Sequence, residues 1–447
     1  MDLESAKGVL LVLRPGRRKE GRPARLMDDG GTPHANTAPR DGNTLQGEDM
    51  SGSAHRVHCL SLGKSADPCP TDRQNRRTGR VRPCNLPDMW EKRDDMVVYE
   101  AEPFNAEPPP GALLDHITPL DTFYGRNHGP IPHIDTASWR LRVDGLVDRP
   151  LELSMEDLQR RFPQRTVVAT LQCAGNRRAD LMRFRDIPGQ QPWGPGATST
   201  ARWSGASLAE VLTEAGLKDQ AAHLAFTGAD VSQEADPPQP FGASIPVAKA
   251  TSEEVLLAWA MNDHALPTAH GAPLRVVVPG WIGARSVKWL QRISARTQPT
   301  DNYFQTGYSV LPPEADPHNT EPGDAITLGP ITIHCAILQP ENGTQLRAGT
   351  TRITGFAFAG DDRTVARVDV SGDSGSTWVR AELDAPENPW TWQHWHATLT
   401  LPTGVTELVA RAWDSTAAVQ PESPATVWNP RGYANSSWAR LRVTCHG

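Results

Sequence analysis

The hydrophobic pattern of this chain changes character twice, and each change limits what the adjoining segment can fold into. Up to about residue 95 no apolar period is sustained, and Arg, Gly, Asp, Asn and Pro are abundant. Such a segment cannot bury enough apolar surface to offset the entropy lost on ordering. We therefore expect residues 1–95 to be a disordered extension, or upstream DNA translated in error with initiation near Met89 or Met96.

The segment 96–315 mixes helical and strand patterns. Ser207-Leu-Ala-Glu210 is a capping-box pattern that predicts a helix, and Thr251-Ser-Glu-Glu254 predicts a second short helix. Val167–Leu171 and Leu274–Val278 are short apolar runs bounded by turn residues, which is typical of buried strands. Regular β-α-β alternation and a nucleotide-type glycine loop are both missing from the sequence. The segment is predicted to be an α+β domain.

Helical periodicity is lost over 316–447. Val365–Val370 and Thr377–Leu383 flank the turn-rich Ser371–Ser376, which predicts a hairpin. Further candidate strands follow at Trp392–Leu401, Glu407–Trp413 and Trp438–Val443. Their spacing predicts an all-β, immunoglobulin-like sandwich.

Charge and composition exclude several classes of protein. The net charge of -7 argues against a nucleic-acid partner, and no apolar run reaches the roughly 18–20 residues that a membrane span needs. The six cysteines form neither a disulfide framework nor a zinc-site spacing. No secretory signal is visible at the N-terminus, although a wrong start codon would hide one. These features predict a cytoplasmic protein.

The most informative stretch is Thr170-Leu-Gln-Cys-Ala-Gly-Asn-Arg-Arg178, which begins in a predicted strand. Gly175 permits a tight turn after Cys173, and two arginines follow. Neighbouring cations favour the thiolate, which is the metal-binding form of cysteine, and they also attract anions. A packed core cysteine is the alternative, but two charges beside it would be costly to bury without partners.

This stretch resembles the cysteine motif of the sulfite oxidase family, in which the thiolate ligates molybdenum. Other segments resemble the family in the same order: Pro103–Pro110, Phe123–Pro130, Thr200–Gly205, Phe241–Pro246, His270–Gly280, Gly283–Trp289 and Val427–Gly432. The resemblance covers roughly residues 100 to 447. It implies a sulfite-oxidase-type molybdopterin-binding domain followed by an immunoglobulin-like dimerisation domain.

The resemblance also implies roles for individual residues. Cys173 would ligate the metal of a molybdopterin cofactor. The residues implied at the substrate, a small oxyanion, are Arg126, Arg178, Trp193, Tyr308 and Arg431. Those implied in cofactor binding are Tyr124, Gly125, Arg126, Asn127, His128, Asp230, His270, Arg275, Ser286, Val287 and Lys288. The implied reaction is oxidation of sulfite to sulfate by oxygen-atom transfer, with the electrons passed to an external acceptor.

Some features depart from the family pattern. The His-Pro-Gly-Gly signature of the haem domain in animal sulfite oxidases is missing from the sequence, so no haem is predicted. Electrons would then pass to a separate cytochrome, another acceptor or dioxygen. Gly307 and Pro188 stand where some relatives carry an acidic and a basic residue, which leaves the preferred substrate open. The resemblance further implies a homodimer.

Three alternative functions stay open on the sequence. The molybdenum domain of nitrate reductase shares the architecture and the cysteine motif, but Tyr308 and Arg431 favour the sulfite branch. A second alternative is an oxidoreductase of the same fold that acts on another oxyanion or a sulfoxide. The third is a non-enzymatic binding protein, which would not need Cys173 and the arginines.

Overall fold

A computed structural model describes residues 92–316 and 325–447. Almost all of the predicted N-terminal extension, residues 1–91 with the possible start at Met89, lies outside the described residues. Residues 92–95, which we expected to belong to that extension, contact the first domain: the Arg93 N–H donates to the Asp121 carbonyl at 3.2 Å. Met96 is buried.

The first domain is built mainly from short strands. Its strands are β1 (Val97–Glu100), β2 (Asn105–Glu107), β3 (Leu141–Gly145), β4 (Leu151–Leu153), β5 (Gln164–Gln172), β6 (Thr198–Ser207), β7 (His223–Ser232), β8 (Gln239–Pro246), β9 (Leu256–Met261), β10 (His264–Ala265), β11 (Arg275–Val277), β12 (Leu290–Arg296) and β13 (Ser309–Val310). Its α-helices are α1 (Met155–Arg161), α2 (Arg178–Phe184), α3 (Leu208–Ala215), α4 (Val247–Ala250) and α5 (Tyr303–Gly307). Three 3₁₀ turns lie at Pro110–Leu113, Thr268–His270 and Gly283–Arg285.

Two sheets carry the first domain. One runs in the order β10-β9-β6-β5, with β11 also paired to β9, and the other in the order β4-β3-β12-β7-β8. The predicted strands within β5 and β11 are confirmed. The mixed α+β class is also confirmed, because the helices are few and short and connect strands of these sheets.

The two predicted helices have different outcomes. The helix after Ser207 is confirmed as α3, which buries Leu208 and Val211 and ends at Gly216 with a φ of 71°. Its capping box is not formed, since the Ser207 side chain makes no cap hydrogen bond. The helix predicted after Thr251 is wrong: the run that follows it is the strand β9.

The error at β9 has a physical reason. Leu256, Leu257 and Ala258 have no exposed surface, because Leu257 packs into one hydrophobic cluster and Leu256 and Ala258 into another, so both faces of β9 are covered. A short, fully buried apolar run has no polar face, so periodicity cannot distinguish a strand from a helix there.

The second domain is a two-sheet sandwich, as predicted. Its elements are β15 (His334–Gln339), β16 (Gln345–Arg347), β17 (Gly349–Phe358), β18 (Val365–Ser371), β19 (Val379–Arg380), β20 (Glu382–Leu383), β21 (Gln393–Leu401), β22 (Gly404–Asp414), a 3₁₀ turn at Pro424–Thr426 and β23 (Ala439–His446); the preceding β14 (Ile326–Thr327) pairs with β13. The sheets run β15-β17-β21-β20 and β16-β23-β22-β18-β19. The predicted hairpin forms between β18 and β19, but the second half of its return strand, β20, pairs in the opposite sheet.

The two domains meet at the end of β5. The Thr170 N–H donates to the Trp390 carbonyl at 2.9 Å, and the Trp392 N–H donates to Thr170 Oγ1 at 2.8 Å. The Trp392 indole donates to the His116 carbonyl at 3.0 Å. The residues that follow β5 therefore emerge between the two domains.

Candidate active site

Cys173 lies immediately after β5 and is fixed by its backbone. Its N–H donates to the Ala197 carbonyl at 2.9 Å, and its Sγ accepts the Gly175 N–H at 3.4 Å. Gly175 in turn accepts the Arg178 N–H at 3.0 Å, which starts α2. The cysteine is 7% exposed, and its side chain lines a cavity rather than the close-packed core alone.

The cavity beside Cys173, hereafter the inner cavity, contains about 640 Å³ of space not filled by protein atoms. It is lined by residues from several separated stretches of the first domain. Of the predicted site residues, those lining it are Tyr124, Arg126, Asn127, His128, Cys173, Asp230, His270, Arg275, Ser286, Lys288 and Tyr308. The structure therefore brings together most of the residues for which cofactor binding was predicted.

The inner cavity has an excess of cationic side chains. Arg126, Arg275 and Lys288 line it, and Asp230 is the carboxylate among its lining residues. Arg275 donates to the carbonyls of His270 and Ser286 at 2.9 and 3.0 Å. Lys288 Nζ donates to the Arg126 carbonyl at 3.1 Å and to Asn127 Oδ1.

Burial shifts the pKa values of Arg275, Lys288 and Asp230 in the direction that favours their neutral forms. Burial lowers the pKa of Arg275 to about 10, and burial together with repulsion from Arg275 holds the pKa of Lys288 well below its usual value. Burial raises the pKa of Asp230 to about 6 although Lys288 opposes the shift, and Asp230 Oδ1 has no hydrogen-bond partner. An anion in this cavity would stabilise the charged lysine and arginine.

A second, larger cavity of about 1450 Å³ adjoins the first, hereafter the outer cavity. Arg126, His128 and Tyr308 line both cavities, so the two are contiguous there. Arg178 and Arg431 line the outer cavity as well. The three predicted substrate arginines, which lie far apart in the sequence, thus face one space.

The arginines of the outer cavity are held by backbone carbonyls. Arg178 is 3% exposed; its Nη1 donates to the Gln191 carbonyl at 2.8 Å, and its Nε donates to the Gly432 carbonyl at 3.1 Å. Arg431 Nη1 donates to the Gly307 carbonyl at 2.8 Å and to Ser309 Oγ at 2.6 Å. These neutral acceptors help to orient both guanidinium groups.

Tyr308 and His128 form a short contact between the two cavities. The Tyr308 hydroxyl lies 2.5 Å from His128 Nε2, and both side chains are buried. Burial, followed by repulsion from Arg126, holds the pKa of His128 well below its usual value, so its imidazole is neutral. If the neutral imidazole donates its Nε2–H to the phenol oxygen, the phenol O–H can donate to an oxyanion in the cavity.

Three predicted site residues line neither cavity. Trp193 has no exposed surface and packs edge-on against Tyr99 at a ring-centroid distance of 4.9 Å. Val287 is buried in the main core, where its carbonyl accepts the Val276 N–H at 2.9 Å. Gly125 pairs with Ala106 as an isolated bridge. These residues support the walls of the cavities.

Tyr433 and Glu234 line the outer cavity and were not predicted. Tyr433 stacks on Tyr308 at 5.2 Å, and the Arg178 guanidinium lies over its ring at 5.1 Å. Glu234 accepts from Arg126 Nη2 at 3.3 Å. Tyr433 follows the Val427–Gly432 motif by one residue, which is the one signal in the sequence that could have indicated it.

Two family models match the chain in the order of its domains. An oxidoreductase molybdopterin binding domain matches residues 128–304, and a Mo-co oxidoreductase dimerisation domain matches residues 327–446. Sulfite oxidase of Gallus gallus is 42% identical over 390 residues, which are 82% of this chain and 84% of that protein. The chain belongs to the sulfite oxidase family.

Other relatives define how far the similarity extends. Mitochondrial sulfite oxidase of Rattus norvegicus is 42% identical over 77% of this chain, which spans 65% of the rat protein. NADH nitrate reductase of Petunia hybrida is 34% identical over 81% of this chain and 43% of that protein. The crystal structure of the sulfane dehydrogenase SoxCD from Paracoccus pantotrophus matches with a TM-score of 0.67 and 27% identity over 82% of this chain and 94% of that one. The family and the order of its two domains are confirmed.

The inner cavity fits the molybdenum cofactor of this family. Within residues 92–316 and 325–447, no group of three or more His, Cys, Asp or Glu side chains could hold a metal ion. The excess of cations over carboxylates matches a phosphate-bearing pterin, since buried charges need partners of opposite sign.

Proposed function

We propose that this protein oxidises sulfite to sulfate at a molybdenum cofactor ligated by Cys173. The observation that carries the proposal is the convergence of Arg126, Arg178 and Arg431 on an outer cavity that adjoins the cavity of Cys173. Three guanidinium groups from separated segments provide charge-assisted, directional hydrogen bonds for a small oxyanion. A cavity of this kind next to the metal ligand is what sulfite oxidation needs.

The side chains would bind and orient the substrate. When bound, the molybdenum cofactor supplies oxygen-atom transfer and takes up the two electrons of the oxidation. Arg178 and Arg431, oriented by backbone carbonyls, would hold the sulfite oxygens and leave the sulfur directed toward the inner cavity. Their charge also stabilises the approach of two electron-rich groups in the transition state. The Tyr308 hydroxyl would donate to a substrate oxygen while His128 Nε2 contacts the same phenol.

The test is metal content together with sulfite-dependent reduction of ferricyanide, on protein expressed in a host that makes the molybdenum cofactor. We expect about one molybdenum per chain and rapid turnover with sulfite. A matched control is Lys218→Met, an exposed change far from both cavities. Molybdenum-loaded protein that does not oxidise sulfite would contradict the proposal.

Nitrate reduction is the second candidate, and the similarity to the petunia nitrate reductase favours it. The same preparation tests it with nitrate and a chemically reduced dye as the electron donor. We expect turnover with nitrate to be much slower than with sulfite, since Tyr308 and Arg431 both line the outer cavity. The reverse order of rates would replace the first candidate with the second.

The electron acceptor and the compartment are part of the proposal. We infer that a separate cytochrome or dioxygen accepts the electrons, in a homodimer formed through the second domain. Cys173, Cys335 and Cys445 are free thiols, which supports a reducing cytoplasm. Within the described ranges, none of the helices has the length and apolarity that a membrane crossing requires.

A further inference from the structure

Lys92 lies beside the inner cavity although it precedes every family motif. Its Nζ is 2.6 Å from the Leu120 carbonyl, 2.7 Å from the Phe123 carbonyl and 3.1 Å from Nε2 of His270. His270 lines the inner cavity, and Leu120 and Phe123 lead into the Phe123–Pro130 motif. Lys92 therefore contacts the wall of the inner cavity through its side chain.

The number of donors and acceptors at Lys92 determines which ring nitrogen of His270 carries the proton. Burial lowers the pKa of Lys92 to about 7, so below that pH its Nζ is an ammonium with three N–H donors and no acceptor. Three partners surround it, two carbonyls and His270 Nε2. With Lys92 charged, His270 Nε2 accepts, so the imidazole is neutral and carries its proton on Nδ1. Nδ1 has no hydrogen-bond partner among the described residues, and a neutral ring at this place agrees with burial, which lowers the pKa of His270.

We propose that Lys92 is a positioning residue of the cofactor site, which holds His270 as the Nδ1–H tautomer so that this N–H donates to the cofactor. The inference rests on the molybdenum cofactor occupying the inner cavity, as proposed above. A partner that fixes the tautomer of a histidine strengthens the bond made by its other nitrogen. In its charged form, which an anionic group of the cofactor would favour, Lys92 also adds a cation beside Arg275 and Lys288.

The variant test measures the rate at which purified holoprotein releases its pterin. The fluorescence of the oxidised pterin reports the release. We expect Lys92→Met to accelerate release on the order of tenfold, as removal of such partners typically does. Lys92→Arg should restore part of the difference, and the control Lys218→Met should release at the wild-type rate. An unchanged release rate in Lys92→Met would overturn the proposal.

A double-mutant cycle separates positioning from a general structural role. If Lys92 acts through His270, adding Lys92→Met to His270→Ala should change the release rate by no more than about twofold, because coupled residues are not additive. A full tenfold effect in the His270→Ala background would mean that Lys92 acts independently of the histidine and would overturn the proposal.

The tautomer itself can be measured in wild-type protein, whatever the variants do to folding. Histidine labelled with ¹⁵N distinguishes Nδ1–H from Nε2–H by its nitrogen shifts and couplings, and His270→Ala assigns the signal. We expect His270 as Nδ1–H in the cofactor-free protein at pH 6, where Lys92 is charged, and an Nε2–H signal at that pH would contradict the inference. Since sulfite turnover is not used in these tests, a failure of the proposed function is distinguishable from a failure of this one.

Discussion

Cys173 combines a cavity-lining thiol with a backbone that neighbouring residues fix on both sides. Cys173→Ser keeps the size of the side chain and both backbone hydrogen bonds of the loop. We expect the variant to lose sulfite turnover completely, because a hydroxyl does not replace the thiolate as a metal ligand. Metal analysis and turnover measure the loss, and an unchanged thermal midpoint shows that the fold remains. Retained activity with bound molybdenum would refute the ligand assignment.

A second prediction concerns the hydroxyl group of Tyr433. Its side chain lines the outer cavity beside Arg178 and Tyr308, so its hydroxyl would donate to a bound anion and Tyr433→Phe would remove that donor. We expect KM for sulfite to rise roughly 10- to 150-fold with little change in kcat, since a hydrogen bond to a charged group contributes about 1.5–3 kcal/mol. Tyr303→Phe, at the exposed rim of the same cavity, is the matched control. Equal effects of the two variants would count against a role for Tyr433.

Most of the predicted site residues that line the two cavities lie in motifs that combine charge with turn residues. Sequence alone does not show which predicted residues face a cavity: Trp193 and Val287 were predicted as well, yet both are in the core. Lys92 could not be predicted, because its segment shows no apolar period and its contact with His270 spans 178 residues.

At the scale of elements, the start of α2 is packed against the loop that contains Arg431. Gly432 has a φ of 63°, which disfavours other residues, and a Cβ placed on it would lie 2.7 Å from Cγ of Arg178. Gly432→Ala should therefore push Arg178 out of position and raise KM for sulfite about tenfold or more, since small displacements at a binding site cost much affinity. Steady-state kinetics measure the change. Gly343→Ala, at a positive φ with nothing within 4 Å, controls for backbone strain alone.

The fold could be predicted best where strands alternate between buried and exposed residues. In β21, Ala397, Leu399 and Leu401 are buried while Thr398 and Thr400 are exposed, and this strand was predicted correctly within one residue. In β9 no such alternation exists, because both faces are covered. Pairing between distant strands, such as the crossing of β20 to the opposite sheet, depends on contacts that local sequence does not contain.

At the scale of the whole molecule, a buried histidine at the contact between the two domains makes the stability of the protein depend on pH. His334 of β15 accepts from Asn176 Nδ2 at 3.2 Å, and burial lowers its pKa from 6.5 to about 3. Between these values the unfolded chain binds a proton that the folded protein does not, so stability is complete above pH 6.5 and falls as the pH decreases. From pH 7 to pH 5 this histidine alone should lower the free energy of unfolding by about 2 kcal/mol.

Urea denaturation of the wild-type protein and of His334→Gln at both pH values measures this contribution. The variant should lose about 2 kcal/mol less than the wild type over the same interval, since His128 and His270 contribute equally to both proteins. His133→Gln, at an exposed position, should follow the wild type. Parallel pH dependence of the wild type and His334→Gln would show that His334 does not titrate in this way.

The loop after Cys173 is held by residues of the second domain, which the ribosome adds long after the loop itself. Arg177 donates to the carbonyls of Ser437 and Trp438 at 2.7 and 2.9 Å, and Arg431 and Tyr433 complete the outer cavity. A growing chain on the ribosome that has produced the whole first domain thus still lacks part of its own active site. The Cys173 loop can take its final form only when translation has passed residue 438, so cofactor loading follows the synthesis of both domains.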